Sequence, residues 1–291
     1  MPLPVPVSEG EPPPITPIPQ PPAADPRRVA LGEALFRDTD LSHDGRFSCA
    51  SCHDVHTNGA DDHTVAAGRK GSRPRLTVLS VFNAALNFRL NWEGNERTLE
   101  AQTESSLENP ANMATTVDEV LRKLGTDPMM VRRFRASYGH GPDRFSLLNA
   151  IATYERSLLT PGSRFDEFLQ GDTAALTPEE RRGYQLFQSL GCISCHQGVN
   201  IGGNLFERHG IFHPLASPEP KILRVPSLRN VATLAPYFHD GSAPTLEDAV
   251  RKMARAQLDQ TLSAGQVEEI VAFLGALTGK YRGVPVKAPS P

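Results

Sequence analysis

The chain has little cysteine, a single tryptophan and no long apolar run, and each shortage narrows what it can be. Its 291 residues contain no stretch of 18 apolar residues, so no transmembrane helix is expected. The formal net charge is only −3, with 30 Lys and Arg against 33 Asp and Glu, and the basic face of a nucleic-acid binder is not expected. A basic start followed by an apolar stretch is also missing, so no signal peptide is visible, and the chain reads as a mature form. What is present supports a folded protein. Hydrophobic residues are 39% and charged residues 22%, enough for a real core. At roughly 150 residues per domain, the length suggests two domains.

The four cysteines all fall in two copies of one motif, Cys49-Ala50-Ser51-Cys52-His53 and Cys192-Ile193-Ser194-Cys195-His196. C-x-x-C-H is the attachment signature of c-type haem. Two thiols add across the porphyrin vinyl groups, and the adjacent histidine becomes the proximal iron ligand. Other readings fit less well. A four-cysteine zinc site would have to span the 139 residues between the pairs, far beyond ribbon spacing. Thioredoxin-like pairs need no following histidine and would not come twice. Disulfides within such short pairs would be strained. Two covalent haems are therefore expected, with Cys49, Cys52, Cys192 and Cys195 as attachment points and His53 and His196 on the irons. Attachment of this kind places the protein outside the bacterial cytoplasm, in the periplasm.

The fold class expected is mainly α, as two cytochrome c-like haem domains with long loops. Residues 1–25 hold ten prolines and read as a Pro-rich disordered leader outside the core. The N-terminal haem domain is expected over 26–162, the C-terminal one over 163–282, and a loose tail over 283–291. Asp25-Pro26 is a helix cap followed by proline at the first helical position. A weak repeat then appears: Gly32-x-x-Leu35-Phe36 leads to Cys49, and Gly183-x-x-Leu186-Phe187 leads to Cys192. Helices are expected over Thr116–Leu124, Ser146–Leu159, from Thr177, over Leu246–Leu258, and from the capping box at Ser263. No convincing alternating strand is visible. The distal iron positions decide between electron transfer and catalysis. For the second iron the candidates are Met253, His209, His213 and His239.

The order of these motifs resembles the bacterial di-haem cytochrome c peroxidase family, which includes MauG-type enzymes. The resemblance covers about residues 26–280. It rests on both C-x-x-C-H motifs with Leu31-Gly32-x-x-Leu35-Phe36, Phe82-Asn83-Ala84-Ala85-Leu86-Asn87-Phe88, Trp92-Glu93-Gly94 and Leu99-Glu100-Ala101-Gln102. It continues through Asn109-Pro110-x-x-Met113, Val225-Pro226-Ser227-Leu228-Arg229-Asn230-Val231, Ala235 to Ser242, and Thr245-Leu246-Glu247-x-Ala249-Val250. The resemblance implies a peroxide-reacting haem on His53 and a high-potential electron-entry haem on His196 with Met253 as its second ligand. MauG-type enzymes have a tyrosine at the position of Met253. Trp92 matches the tryptophan between the haems, and Gln102 matches a retained distal-pocket glutamine.

The departures concern the first haem. Its displaceable distal histidine falls on Arg69, which stays protonated and cannot ligate iron. That leaves the iron open, or the role to His63 or His56. The family's catalytic glutamate falls on Asn112, an amide that cannot carry a proton. Arg69 pointing into the pocket would stabilise charge on a leaving oxygen. Glu104 and Glu108 read as solvated helix carboxylates or as proton shuttles through water. The calcium found between the domains of several relatives is left open. Its asparagine falls near Pro74, Thr233-Leu234 stands in exchanged order, and only the backbone position Pro236 is retained. Arg224 and Arg229 are candidate partners of haem propionates. The function implied is reduction of hydrogen peroxide with electrons from a small cytochrome c or cupredoxin, with a homodimer as the assembly that relatives often form. The alternatives are MauG-like oxidation of a partner protein and a non-enzymatic electron carrier or redox sensor.

Overall fold

A computed structural model describes residues 13–60 and 76–289. These carry nine α-helices: α1 (Pro26–Phe36), α2 (Leu99–Glu108), α3 (Val117–Thr126), α4 (Pro128–Tyr138), α5 (Arg144–Arg156), α6 (Arg164–Leu169), α7 (Pro178–Ser189), α8 (Leu246–Leu258) and α9 (Ala264–Gly275). The caps explain the boundaries. Asp25 accepts from the Arg27 amide at the start of α1, with Pro26 as the first helical residue. Reciprocal capping boxes open α5 (Asp143 with Ser146), α7 (Thr177 with Glu180) and α9 (Ser263 with Gln266). The Asp143 box starts α5 two residues before the expected Ser146, and Ser157 caps it before the expected Leu159.

The structure is built twice. In the first half α1 crosses α5, and in the second half α7 crosses α9. The crossing point is a glycine each time. A Cβ on Gly32 would collide with the Ala150 carbonyl, and one on Gly183 with the Glu269 carbonyl. Phe36 and Phe187, four residues on, stand 6.5 and 6.2 Å from the His53 and His196 rings. This is the physical content of the repeat: glycine lets the helices touch, and phenylalanine backs the histidine. Gly183→Val is accordingly expected to destabilise the holoprotein by about 1–3 kcal/mol through overpacking. Gly125→Ala in α3, where a Cβ meets nothing, gains about 0.5–1 kcal/mol. Urea midpoints of the two variants check the opposite signs.

Three sequence expectations need correction. Residues 13–20 are not outside the core. Ile15 and Ile18 are buried, and Ile15 joins the apolar cluster of the second half with Phe165, Phe187 and Phe273. The Pro14 carbonyl accepts from the Gly198 amide at 2.7 Å. The tail is also docked. β3 (Lys280–Tyr281) and β4 (Val284–Pro285) form a small antiparallel ribbon, and Val286 is buried in the first half with Phe36, Phe82 and Tyr154. Both described chain ends thus brace the opposite half. A second antiparallel ribbon pairs β1 (Phe206–Arg208) with β2 (Ile222–Arg224). Strands this short offer too few residues for visible alternation.

Candidate functional site

Each C-x-x-C-H motif sits on a single 3₁₀ turn, Cys49–Ser51 in the first half and Cys192–Ser194 in the second. All four cysteines are half-buried, and no disulfide joins them. Burial pushes the Cys49 thiol up to about 12, with the Glu155 charge adding to it. Burial likewise pushes Cys192 up to about 11. Reactive thiol chemistry needs a lowered value, so the thioredoxin-like alternative finds no support.

The two histidines are held alike. His53 Nδ1 lies 3.1 Å from the Gly59 carbonyl and His196 Nδ1 3.3 Å from the Ile201 carbonyl. A carbonyl only accepts, so Nδ1 carries the proton and Nε2 keeps its lone pair. Burial lowers the His196 value to about 4, which keeps that imidazole neutral. A neutral ring with Nδ1–H bonded to backbone is the form that ligates a metal.

The second motif opens onto an apolar-lined cavity of about 290 Å³. Cys192, Cys195, His196, Met253, Trp92 and Arg224 all line it. Met253 projects from α8, which starts at the Thr245 cap and matches its expected span, Leu246–Leu258. The structure thus brings the expected ligand pair, His196 and Met253, to one cavity. Of the rival histidines, His209 and His239 line the same cavity and His213 does not. His213 is on the surface, 2.8 Å from Asp259. His209 Nε2 lies 2.8 Å from the Pro220 carbonyl, and its ring stands 4.9 Å from that of His239. His239 is buried, and burial lowers its value.

Two buried polar atoms, Arg224 Nη1 and His239 Nε2, have no hydrogen-bond partner among the described residues. Both residues line this cavity. The spare guanidinium donor of Arg224 at an apolar cavity fits a ligand that brings its own carboxylates, as haem does with its propionates. Arg229 differs from the expectation. It is buried in an ion pair with Asp166 at 2.8 Å, donates from Nε to the Val199 carbonyl and from Nη2 to the Thr16 carbonyl. Its donors are committed within the protein, whereas Arg224 keeps one spare.

Trp92 is buried against the same cavity and donates from Nε1 to the Thr77 carbonyl at 2.9 Å. Its carbonyl accepts from the Arg224 amide at 2.8 Å. Asn58 and Ala60, just after His53 in sequence, also line the cavity, so Trp92 stands where the two halves meet.

The expected distal residues of the first site are less gathered. Gln102 is half-buried on α2, which Thr98 caps. Asn112 is exposed in the turn after α2, with its amide 3.4 Å from Ser106 Oγ on that helix. Arg69, His63 and Pro74 lie outside the described residues. His56 is exposed beside Arg37. Glu104 is ion-paired with Arg144 and Glu108 is exposed, so neither is a free shuttle buried at the site. Among the described residues no group of three or more His, Cys, Asp or Glu side chains is arranged to hold a metal ion.

Several residues went unremarked by sequence reasoning: Glu155, Asp166, Asn58 and Asn200, all buried. Burial pushes the Glu155 carboxyl up to about 8, helped by the Glu100 charge and opposed by Arg156. Two further buried asparagines, Asn83 and Asn230, had a signal, a second repeat in which Ser80-x-x-Asn83 recurs as Ser227-x-x-Asn230.

Known proteins share this architecture. The family model described as di-haem cytochrome c peroxidase matches residues 26–174. Cytochrome c peroxidase Ccp of Escherichia coli K12 is 39% identical over 92% of this chain, and the match spans 62% of its own length. The cytochrome c551 peroxidase of Nitrosomonas europaea is 36% identical, covering 89% of this chain and 83% of that protein. The methylamine utilization protein MauG of Methylorubrum extorquens is 31% identical, covering 85% and 72%. Among solved structures, a MauG-like protein associated with microbial copper homeostasis superposes with a TM-score of 0.78 at 26% identity, over 94% of this chain and 96% of the other. The diheme peroxidase BthA of Burkholderia thailandensis shares the fold at a TM-score of 0.72 and 23% identity, over 92% and 91%. With two haem motifs on a doubled helical frame and relatives of this closeness, the chain belongs to the di-haem cytochrome c peroxidase family.

Proposed function

We propose that the protein is a di-haem c-type peroxidase of the periplasm that reduces hydrogen peroxide with electrons from a small redox protein. The observation that carries this reading is the cavity shared by Cys192, Cys195, His196, Met253 and Trp92. When bound, the haems supply one-electron redox chemistry and an iron at which peroxide is reduced. Two electrons and two protons convert hydrogen peroxide to two waters, and the donor delivers the electrons singly.

The chain's residues divide the work. Cys49 and Cys52 would hold the first haem, Cys192 and Cys195 the second. His53 and His196 would bind the irons through Nε2, each ring being fixed by its Nδ1 contact to backbone. Met253, which shares the cavity with His196, would serve as the second ligand of that iron and suits an electron relay, since a thioether ligand raises the potential. Trp92, buried at the junction of the halves, lies on the electron route between them. Gln102 orients peroxide at the first site. Arg69, which lies outside the described residues, would stabilise the charge of the leaving oxygen if directed into the pocket. Asn112 hydrogen-bonds but carries no proton, which leaves that task to water or another acid. Met253 in place of a tyrosine favours this reading over oxidation of a partner protein.

The test is peroxide turnover by half-reduced holoprotein, read as oxidation of a reduced small cytochrome c. Saturable turnover is expected, and Gln102→Leu lowers kcat/KM about 10²-fold. No turnover, with the first haem still binding an added ligand, would shift the function to oxidation of a partner protein. No ligand binding at either haem would make the protein an electron carrier or sensor.

A further inference from the structure

The two halves exchange hydrogen bonds immediately beside their histidines. In the first half, the carbonyl that holds His53 belongs to Gly59, and the residue before it is the buried Asn58. Asn58 Nδ2 donates across the interface to the Thr233 carbonyl at 2.6 Å. In the second half, the carbonyl that holds His196 belongs to Ile201, and the residue before it is the buried Asn200. Asn200 Nδ2 donates across the interface to the Asn83 carbonyl at 3.1 Å and to Asn87 Oδ1 at 2.8 Å. Each asparagine is also pinned from behind in the same way. Ser80 Oγ donates to the Asn58 carbonyl at 2.6 Å, and Ser227 Oγ to the Asn200 carbonyl at 2.9 Å.

The targets across the interface are themselves matched. Asn83 and Asn230 both adopt the left-handed conformation, with φ of 60° and 61°, and each opens a 3₁₀ turn, Ala84–Leu86 and Val231–Thr233. Asparagine tolerates that conformation better than most residues. Both donate from Nδ2 to one hydroxyl, Thr160 Oγ1, at 2.8 and 3.0 Å. The Thr160 amide donates back to Asn83 Oδ1 at 2.9 Å, and Thr233 bonds to the Asn230 carbonyl through both amide and hydroxyl. Buried hydrogen bonds thus run without a gap from the Asn200 loop, through Asn83, Thr160 and Asn230, to Thr233 and the Asn58 loop. One acceptor of this network, Asn200 Oδ1, has no partner among the described residues, and the remaining bonds tie the two loops into one arrangement.

We propose that Asn58 and Asn200 are reciprocal positioning residues: each sets the backbone carbonyl that holds one proximal histidine from the opposite half, so the two haem potentials are coupled through Thr160. This rests on the reading that His53 and His196 ligate the irons. The carbonyl on Nδ1 orients the ring and sets its basicity, and both tune a bound metal. A carbonyl tied to the other half therefore transmits a shift in that half to the iron. The coupling is reciprocal by thermodynamic necessity.

The experiment is a spectroelectrochemical titration of both haems in the holoprotein, for the wild type, Asn58→Ala, Asn200→Ala, Thr160→Val and Thr160→Ser. The side-chain hydrogen bonds of Thr160 go to Asn83 and Asn230 and not to either histidine loop. In the wild type, reduction of one haem is expected to change the reduction equilibrium of the other about fivefold or more. Each Asn→Ala variant and Thr160→Val bring that factor toward one, so that the haems titrate independently. Thr160→Ser keeps the hydroxyl and keeps the coupling. Should the asparagine variants fail to fold, the Thr160 pair decides. An unchanged coupling factor in Thr160→Val, or an equal loss in Thr160→Ser, overturns the proposal. Spectra of His53→Gly and His196→Gly test ligation separately. If each removes one haem's axial signature while the coupling is unmoved by Thr160→Val, the ligation stands and the coupling fails.

Discussion

Asp166→Ala is expected to destabilise the holoprotein by about 3–5 kcal/mol, because it strands a buried guanidinium. The side chains of Asp166 and Arg229 are each only 1% exposed. Burial already lowers the Arg229 value, and the Asp166 carboxylate opposes that shift. Asp166 also accepts from the Ile18 amide at 3.1 Å through Oδ1 and from the Ser163 amide at 3.1 Å through Oδ2. One carboxylate therefore neutralises Arg229, caps α6 and anchors the N-terminal strap. Arg229 in turn holds Thr16 of the strap and Val199 of the His196 loop. Urea unfolding measures the loss, and limited proteolysis reports release of residues 13–20. The double variant Asp166→Ala with Arg229→Met recovers part of the stability, since it removes the stranded charge. A single-variant loss below about 1 kcal/mol would mean that water reaches Arg229 and the pair is not insulated.

The contrast between what is local and what is distant explains how much could be read from residues alone. Caps and helix starts at Asp25, Thr177 and Ser263 are legible because each is a contact between residues two or three apart. The Gly-x-x-Leu-Phe repeat is legible because it lies on one helix face, although the crossing it permits appears only in three dimensions. Ile15 and Ile18 were hidden by their prolines. A polyproline composition describes an unpaired segment, yet the partner of Ile18 is Asp166, 148 residues away. The same holds for Asn58, whose partner Thr233 is 175 residues away. A lone asparagine in a loop carries no mark of such a partner. Arg224 and Arg229 look alike in sequence, and only burial and bonding separate the committed guanidinium from the one with a spare donor.

Glu155→Gln is expected to flatten the dependence of stability on pH. Glu155 lies on α5, which packs against α2, and it is 8% exposed. Its Oε2 has no partner among the described residues. Burial first, and the Glu100 carboxylate second, raise its value from 4.5 to about 8, while Arg156 opposes them. Arg156 is itself engaged with Glu100 at 2.7 Å, which limits its help. The folded chain therefore keeps the Glu155 proton at neutral pH while the unfolded chain has released it. Below pH 4.5 both states hold the proton and the group's stabilising effect is fully present. From there up to about pH 8 the folded state declines relative to the unfolded by about 1.4 kcal/mol per pH unit, and above that both states are ionised. Glutamine keeps the shape and has no proton to lose, so wild type and variant unfold alike at acid pH and the variant is the more stable at pH 8. Parallel urea curves across that range would show that the carboxyl is ionised in the folded protein. Cys49 feels the same charge. A carboxylate formed there favours the oxidised iron, so the potential of the first haem falls as Glu155 ionises in the wild type and stays level in the glutamine variant.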